Sequence, residues 1–138
     1  MTDFATAFAD AWAAPTPERL VVLLHQDVIL RQPHRPPIRG RQAALADFGR
    51  LFRWLPGLHG VVDRSATEGE WVFIEWRMQI PVRGRLLEMP MVDRFRVVDG
   101  LGAERVVYFD QLAFIRIVGA HPGLWAGYLR YQAGMALT

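Results

Sequence analysis

Apolar residues fall four apart at the start of the chain, at Phe4, Phe8 and Trp12, which places all three on one face of a helix with Thr2 as its cap. A second helix is marked by Thr16-Pro17-Glu18, which supplies a hydroxyl cap, a proline at the first helical position and an acid in the first turn. Leu20, Val21, Leu23 and Leu24 follow, and His25 reads as the end of that helix. Asp27 to Gln32 has a strand pattern, Pro33 to Arg39 is a proline-rich loop, and Gly40-Arg41 opens a third helix. In that helix Leu45, Phe48, Phe52 and Leu55 recur at intervals of three and four until Pro56-Gly57 stops it.

From Leu58 the period changes to two. Candidate strands are Leu58 to Ala66, Trp71 to Val82, Leu86 to Val98 and Glu104 to Val118, separated by hairpin breaks at Glu68-Gly69-Glu70, Arg83-Gly84-Arg85 and Asp99-Gly100. Pro122 then admits a short last helix with Trp125, Tyr128, Leu129 and Gln132 along one side. Two helices, a strand, a helix and an antiparallel meander make an α+β domain, a cone-like curved sheet covered on one face by helices. Such a sheet needs an apolar inward face, and parity identifies it. Val72, Ile74, Trp76, Met78 and Ile80 are all apolar, and Leu87, Met89, Met91, Asp93, Phe95 and Val97 form the matching set in the next strand. The same parity joins Val28, Leu30 and Gln32 in the first strand, and Val107 with Phe109 in the last.

Gln32 and Asp93 are then the polar groups in a deep apolar concavity, the usual form of a small-molecule site. There a carboxyl loses solvation, which would suit Asp93 to serve as a neutral donor or as a base. The structural alternative is an ion pair with Arg35, Arg39 or Arg77. Gln32 does not titrate, so it can orient a ligand or a water but cannot shuttle a proton. His34, in the loop at the pocket mouth, has the proton affinity for acid/base work, against a plain solvated loop histidine. Trp12, Leu30, Trp54, Trp76, Met78, Met89, Met91, Phe95, Val107 and Phe109 are core residues first, and their bulk also suits the wall of a pocket for a flat apolar ligand.

The 138 residues suit one domain, 1–138, with one core. Cysteine is absent, which removes disulfides and thiolate chemistry. The sequence pI is about 9.7, yet all sixteen basic residues are arginines, spread from Arg19 to Arg130 and interleaved with acids. That distribution gives no nucleic-acid-binding stripe. No leader pattern and no run of about 18 apolar residues is present, so a cytoplasmic protein without membrane partners is expected. The four histidines have no metal-ligand spacing, and no glycine-rich phosphate loop occurs, so neither metal nor cofactor is expected.

Four features occur in a telling order: the Asp27 strand, the Pro36-Pro37-Ile38-Arg39-Gly40-Arg41 lead-in to the third helix, the Val97-Val98-Asp99-Gly100 turn, and the Tyr108-Phe109-Asp110 strand ending. Together they resemble the nuclear transport factor two-like superfamily, in particular its SnoaL-like branch of polyketide cyclases, epoxide hydrolases and steroid isomerases. The resemblance covers nearly the whole chain. It implies a conical pocket and cofactor-free chemistry on a small apolar molecule. The epoxide hydrolases' Arg-x-Asp pair corresponds here to Trp76 and Met78, and their second aspartate to Val107, so their water-activating device is missing. The ketosteroid isomerases' base corresponds to Gln32. Their second acid corresponds to a face on which Asp93 lies one inward position away. A SnoaL-like acid/base would fall on Asp110 if the last strand had the opposite parity; otherwise Asp110 anchors backbone or an arginine.

Two readings follow. In the first the chain is an isomerase, cyclase or hydratase using Asp93 as acid/base with Gln32 orienting substrate. In the second it is a non-catalytic module of the same fold for apolar-ligand binding or dimerisation. Trp71, Phe73 and Val92 on the outward sheet face, among charges, predict a homodimer.

Overall fold

A computed structural model of the chain describes residues 3–33 and 35–136. Helix α1, Phe4–Ala13, buries Phe8 and Trp12 against the sheet. Complete burial of side chains of this size contributes about 1.5–3 kcal/mol each. The cap of α1 is Asp3, whose carboxylate accepts from the Thr6 N–H at 2.7 Å; Thr2 lies outside the described residues. Helix α2, Pro17–Val21, has the expected Thr16 cap, which accepts from the Arg19 N–H at 3.1 Å. The helix is only five residues long, so strand β1 begins early, at Leu24, and runs to Arg31. His25 is thus a strand residue rather than a helix end.

The proline loop contains a two-residue strand, β2, Ile38–Arg39, paired antiparallel with β1. Helix α3, Arg41–Trp54, follows, with Gly40 at φ 90° as its lead-in, a conformation that favours glycine. Its buried face is Ala44, Asp47 and Phe48, while Leu45 turns outward at 36% exposure.

Strands β3 (His59–Glu68), β4 (Trp71–Val82), β5 (Arg85–Val98) and β6 (Leu101–Phe109) complete a six-stranded sheet of order β2-β1-β6-β5-β4-β3. The sheet is mixed, because β1 runs parallel to β6 while the other neighbours are antiparallel. The inward set of β4 and β5 is the one that parity predicts: Ile74, Trp76, Met91, Asp93 and Phe95 are all buried. Trp76 lies across β3, at a position that only glycine allows. A Cβ on Gly60 would come within 2.6 Å of the indole.

The largest correction concerns 104–118, predicted as one long strand. The strand ends at Phe109, and Asp110 caps helix α4, Gln111–Ala120, by accepting from the N–H groups of Leu112 at 3.0 Å and Ala113 at 3.1 Å. A short 3-10 turn, Pro122–Leu124, leads to helix α5, Trp125–Ala136. Gly127 and Gly134 let α5 approach α3 closely, since a Cβ at either would meet Trp54 Cδ1 at 2.5 Å or Arg50 Cδ at 2.6 Å. Of the residues predicted along one side of this helix, Trp125 and Leu129 are 48% and 67% exposed, while Tyr131 is buried.

Candidate functional site

The concave sheet face, α3 and the α4–α5 pair enclose a cavity of about 420 Å³. Its sheet wall is apolar and soft, built from Met78, Met89, Met91, Val107 and Phe109. Across from it, Phe114 of α4 and Tyr128 and Tyr131 of α5 pack against Trp54, whose ring is stacked on Tyr131 with centroids 5.4 Å apart.

A polar cluster forms one side of the cavity. Asp47, 2% exposed, is brought inward by its place on the α3 face shared with Ala44 and Phe48. Its Oδ1 accepts from Arg35 Nη2 at 3.0 Å and from the Tyr131 hydroxyl at 3.5 Å, and Arg50 Nη2 lies at 3.6 Å. Arg35 also donates through Nη1 to Tyr131 at 3.0 Å and to the side-chain oxygen of Gln32. Among the described residues every contact of Asp47 falls on Oδ1, leaving its second oxygen without a partner. Burial, reinforced by the neighbouring Asp47 carboxylate and opposed by Arg35, pushes the Tyr131 phenol up to about 12.

A second charged cluster belongs to the sheet. Asp93 is fully buried, with Oδ1 accepting from the Trp76 indole at 2.9 Å and Oδ2 from Arg105 Nε at 2.6 Å. Arg105 stacks over Phe95, 5.8 Å from the ring centroid, and borders the cavity. The partner of Asp93 is therefore none of Arg35, Arg39 or Arg77; Arg77 binds Asp63 and Glu88 on the outer surface.

Of the residues expected at a site, Gln32, Trp12, Trp54, Met78, Met89, Met91, Val107 and Phe109 line the cavity. Leu30, Trp76 and Phe95 lie in the core rather than in the lining, and Phe8 packs edge-on against the Trp76 and Phe95 rings. Asp93 faces the concave side as expected, but it is sealed by Trp76 and Arg105 and does not line the cavity. Asp110 is occupied as a helix cap and also lies outside the lining. His34 falls outside the described residues. Arg105, Asp47 and Tyr131 escaped the sequence reading. The inward parity of Val107, carried back two residues, reaches Arg105, and Asp47 lies three residues after Ala44 and four before Leu51, on one helical face.

Among the described residues no three histidine, aspartate or glutamate side chains converge as metal ligands, and none of the described helices is long and apolar enough to cross a membrane.

The sequence profile of the SnoaL-like domain matches residues 5–105. The chain belongs to the SnoaL-like family. This SnoaL-like chain is also similar in fold to IdmH from Streptomyces antibioticus, a provisionally assigned polyketide cyclase, at 22% identity and a TM-score of 0.69 over 84% of this chain and 96% of that one. A protein from Catenulispora acidiphila with a ketosteroid isomerase-like fold, crystallised with trimethylamine, gives 21% identity and a TM-score of 0.69, with 79% and 88% of the two chains covered. An NTF2-like protein of unknown function from Burkholderia pseudomallei gives 18% identity and a TM-score of 0.71, with 84% and 97% covered. No curated protein matches the sequence. The SnoaL-like profile stops short of α4 and α5, so Phe114, Tyr128 and Tyr131 are additions to the cavity from outside the matched segment.

Proposed function

We propose that the chain is a cofactor-free acid/base enzyme of the isomerase or cyclase type, acting on an apolar small molecule, and that Asp47 takes the proton-transfer role first expected of Asp93. The observation that carries this reading is the cavity-lining carboxylate of Asp47, buried beside two donors and with an oxygen that takes no hydrogen bond among the described residues. In this scheme Asp47 removes a proton from the carbon next to a ligand carbonyl, and the C–H electron pair moves onto the carbonyl oxygen. Arg35 and the protonated Tyr131 donate to that oxyanion while Gln32 holds the Arg35 fork in place. Return of the proton at another carbon completes an isomerisation; attack of the carbanion on a second carbonyl forms the ring bond, and return of the proton from Asp47 to the new alkoxide completes a cyclisation. Asp93, bonded on both oxygens, positions Arg105.

One observation favours the rival, a non-catalytic binding module: both buried carboxylates already sit in ion pairs. The enolisable bicyclic ketone 2-tetralone separates the two. Wild-type protein is expected to accelerate its exchange of α-protons for solvent deuterium, read by NMR, and Asp47→Asn to lower that acceleration by about 10²–10⁴-fold. A thermal shift with 2-tetralone but no accelerated exchange would leave the binding module standing.

The same reading includes a cytoplasmic setting for this cysteine-free chain and a homodimer across the convex sheet face, where Phe73, Val92 and Tyr108 are exposed. A monomer across a tenfold concentration range in light scattering removes the dimer.

A further inference from the structure

We infer that the cavity receives a ligand with a single carboxylate head and that Arg105 is its anchor. This rests on the small-molecule pocket proposed above and adds the charge of the molecule that fills it.

Arg105 is held as a binding group would be. Its side chain is 6% exposed, its Nε is fixed at 2.6 Å from Asp93, and its plane lies over Phe95. Asp93 is fixed in turn by Trp76, so the guanidinium has little freedom to swing away. Among the described residues its two Nη groups take no hydrogen bond, although the residue borders the cavity. A guanidinium offers five donors in a planar fork that matches a carboxylate, and only one of them is used here. The unused donors belong to a residue that borders the cavity, so an acceptor carried there by a ligand would complete the set.

The charge around the cavity points the same way. Among the described residues Arg35, Arg50 and Arg105 face two carboxylates, Asp47 and Asp93, which leaves a surplus of one positive charge. In a site walled by methionine and aromatic side chains, such a surplus is poorly solvated until a counter-anion enters. The surplus lies near the anchor. Leu30 pairs with Arg105 across β1 and β6, and Gln32, which binds Arg35, is two residues further along the same face, a separation of about 7 Å. A head group on the Nη donors therefore sits within the field of the Arg35–Arg50 pair, while its apolar body lies along Met78, Met89 and Met91. Two negative charges would exceed the surplus, and a neutral head would leave it unbalanced.

The test compares 2-naphthoate with its neutral isostere 2-naphthamide by titration calorimetry. The expected result is that the wild-type protein binds the carboxylate at least tenfold more tightly than the amide. Asp93→Leu with Arg105→Met removes the buried pair as a unit, so no lone charge remains, and cooperative melting confirms that it is folded. In that variant the preference is expected to fall at least fivefold, the remainder being the field of the Arg35–Arg50 pair. Arg105→Lys keeps a cation opposite Asp93 while giving up the fork, and is expected to reduce the preference several-fold on its own. Equal binding of both probes to wild type leaves the pocket standing and overturns the anchor. A preference that survives intact in the folded double variant also overturns it, because the anion would then be read by Arg35. If neither probe binds, the pocket reading fails and the anchor falls with it.

Discussion

Two buried carboxylates, Asp93 on the sheet and Asp47 at the junction of helices, occupy neighbouring parts of this molecule and are treated in opposite ways. Asp93 has a different donor on each oxygen, one from β4 and one from β6, and the strand register fixes both. Asp47 collects Arg35, Arg50 and Tyr131 on a single oxygen, from the proline loop, its own helix and α5. A strand-borne acid is thus closed off by its neighbours, whereas one at a meeting point of separate elements keeps an oxygen toward the cavity. The more buried acid of the two is the one with both oxygens committed.

The contrast is most severely tested by breaking the sheet pair on one side only. Arg105→Met leaves Asp93 buried and unpaired, and urea unfolding should show a loss of about 3–5 kcal/mol, largely recovered when Asp93→Leu is added. If the single variant is as stable as wild type, the ion pair is not what holds that region.

The helix junction should show itself next, through pH. The Tyr131 phenol is raised from 10 to about 12 in the folded chain, so between those values the folded state holds a proton that the unfolded state has released. Its contribution is therefore complete below pH 10 and lost as pH rises toward 12, an effect of about 2–3 kcal/mol. Stability across that range, read by denaturant unfolding, should fall more steeply for wild type than for Tyr131→Phe; parallel curves would remove Tyr131 from the cluster. The smallest effect is expected outside both clusters. Arg77 bridges Asp63 and Glu88 in solvent, and Arg77→Ala should leave the unfolding midpoint nearly unchanged in the same assay.

The fold was legible where one physical rule governed a segment. Alternation from Val72 to Ile80 and from Leu87 to Val97 fixed the inward face, and Thr16-Pro17-Glu18 fixed the second helix, because each signal is local. The segment 104–118 misled because Val106 to Phe109 and Leu112 to Val118 are both apolar, and the boundary rests on one side-chain cap at Asp110. The site was half legible. Its apolar wall follows from strand parity, but its polar side depends on Arg35, Asp47 and Tyr131 meeting from positions up to 96 residues apart. No spacing rule reports such a meeting. Asp93 drew attention as a lone inward acid because the inward parity of Val107 was not carried back two strand positions to Arg105, its partner.

The two glycines that bring α5 against α3 carry a consequence for the helix itself. Each costs a helix about 1 kcal/mol relative to alanine, and a twelve-residue helix is marginal in water even without them. The helix bearing Tyr131 therefore owes its order to the surface it rests on. One wall of the cavity is thus contingent on its neighbour, and without the α3 surface it would not persist as a helix.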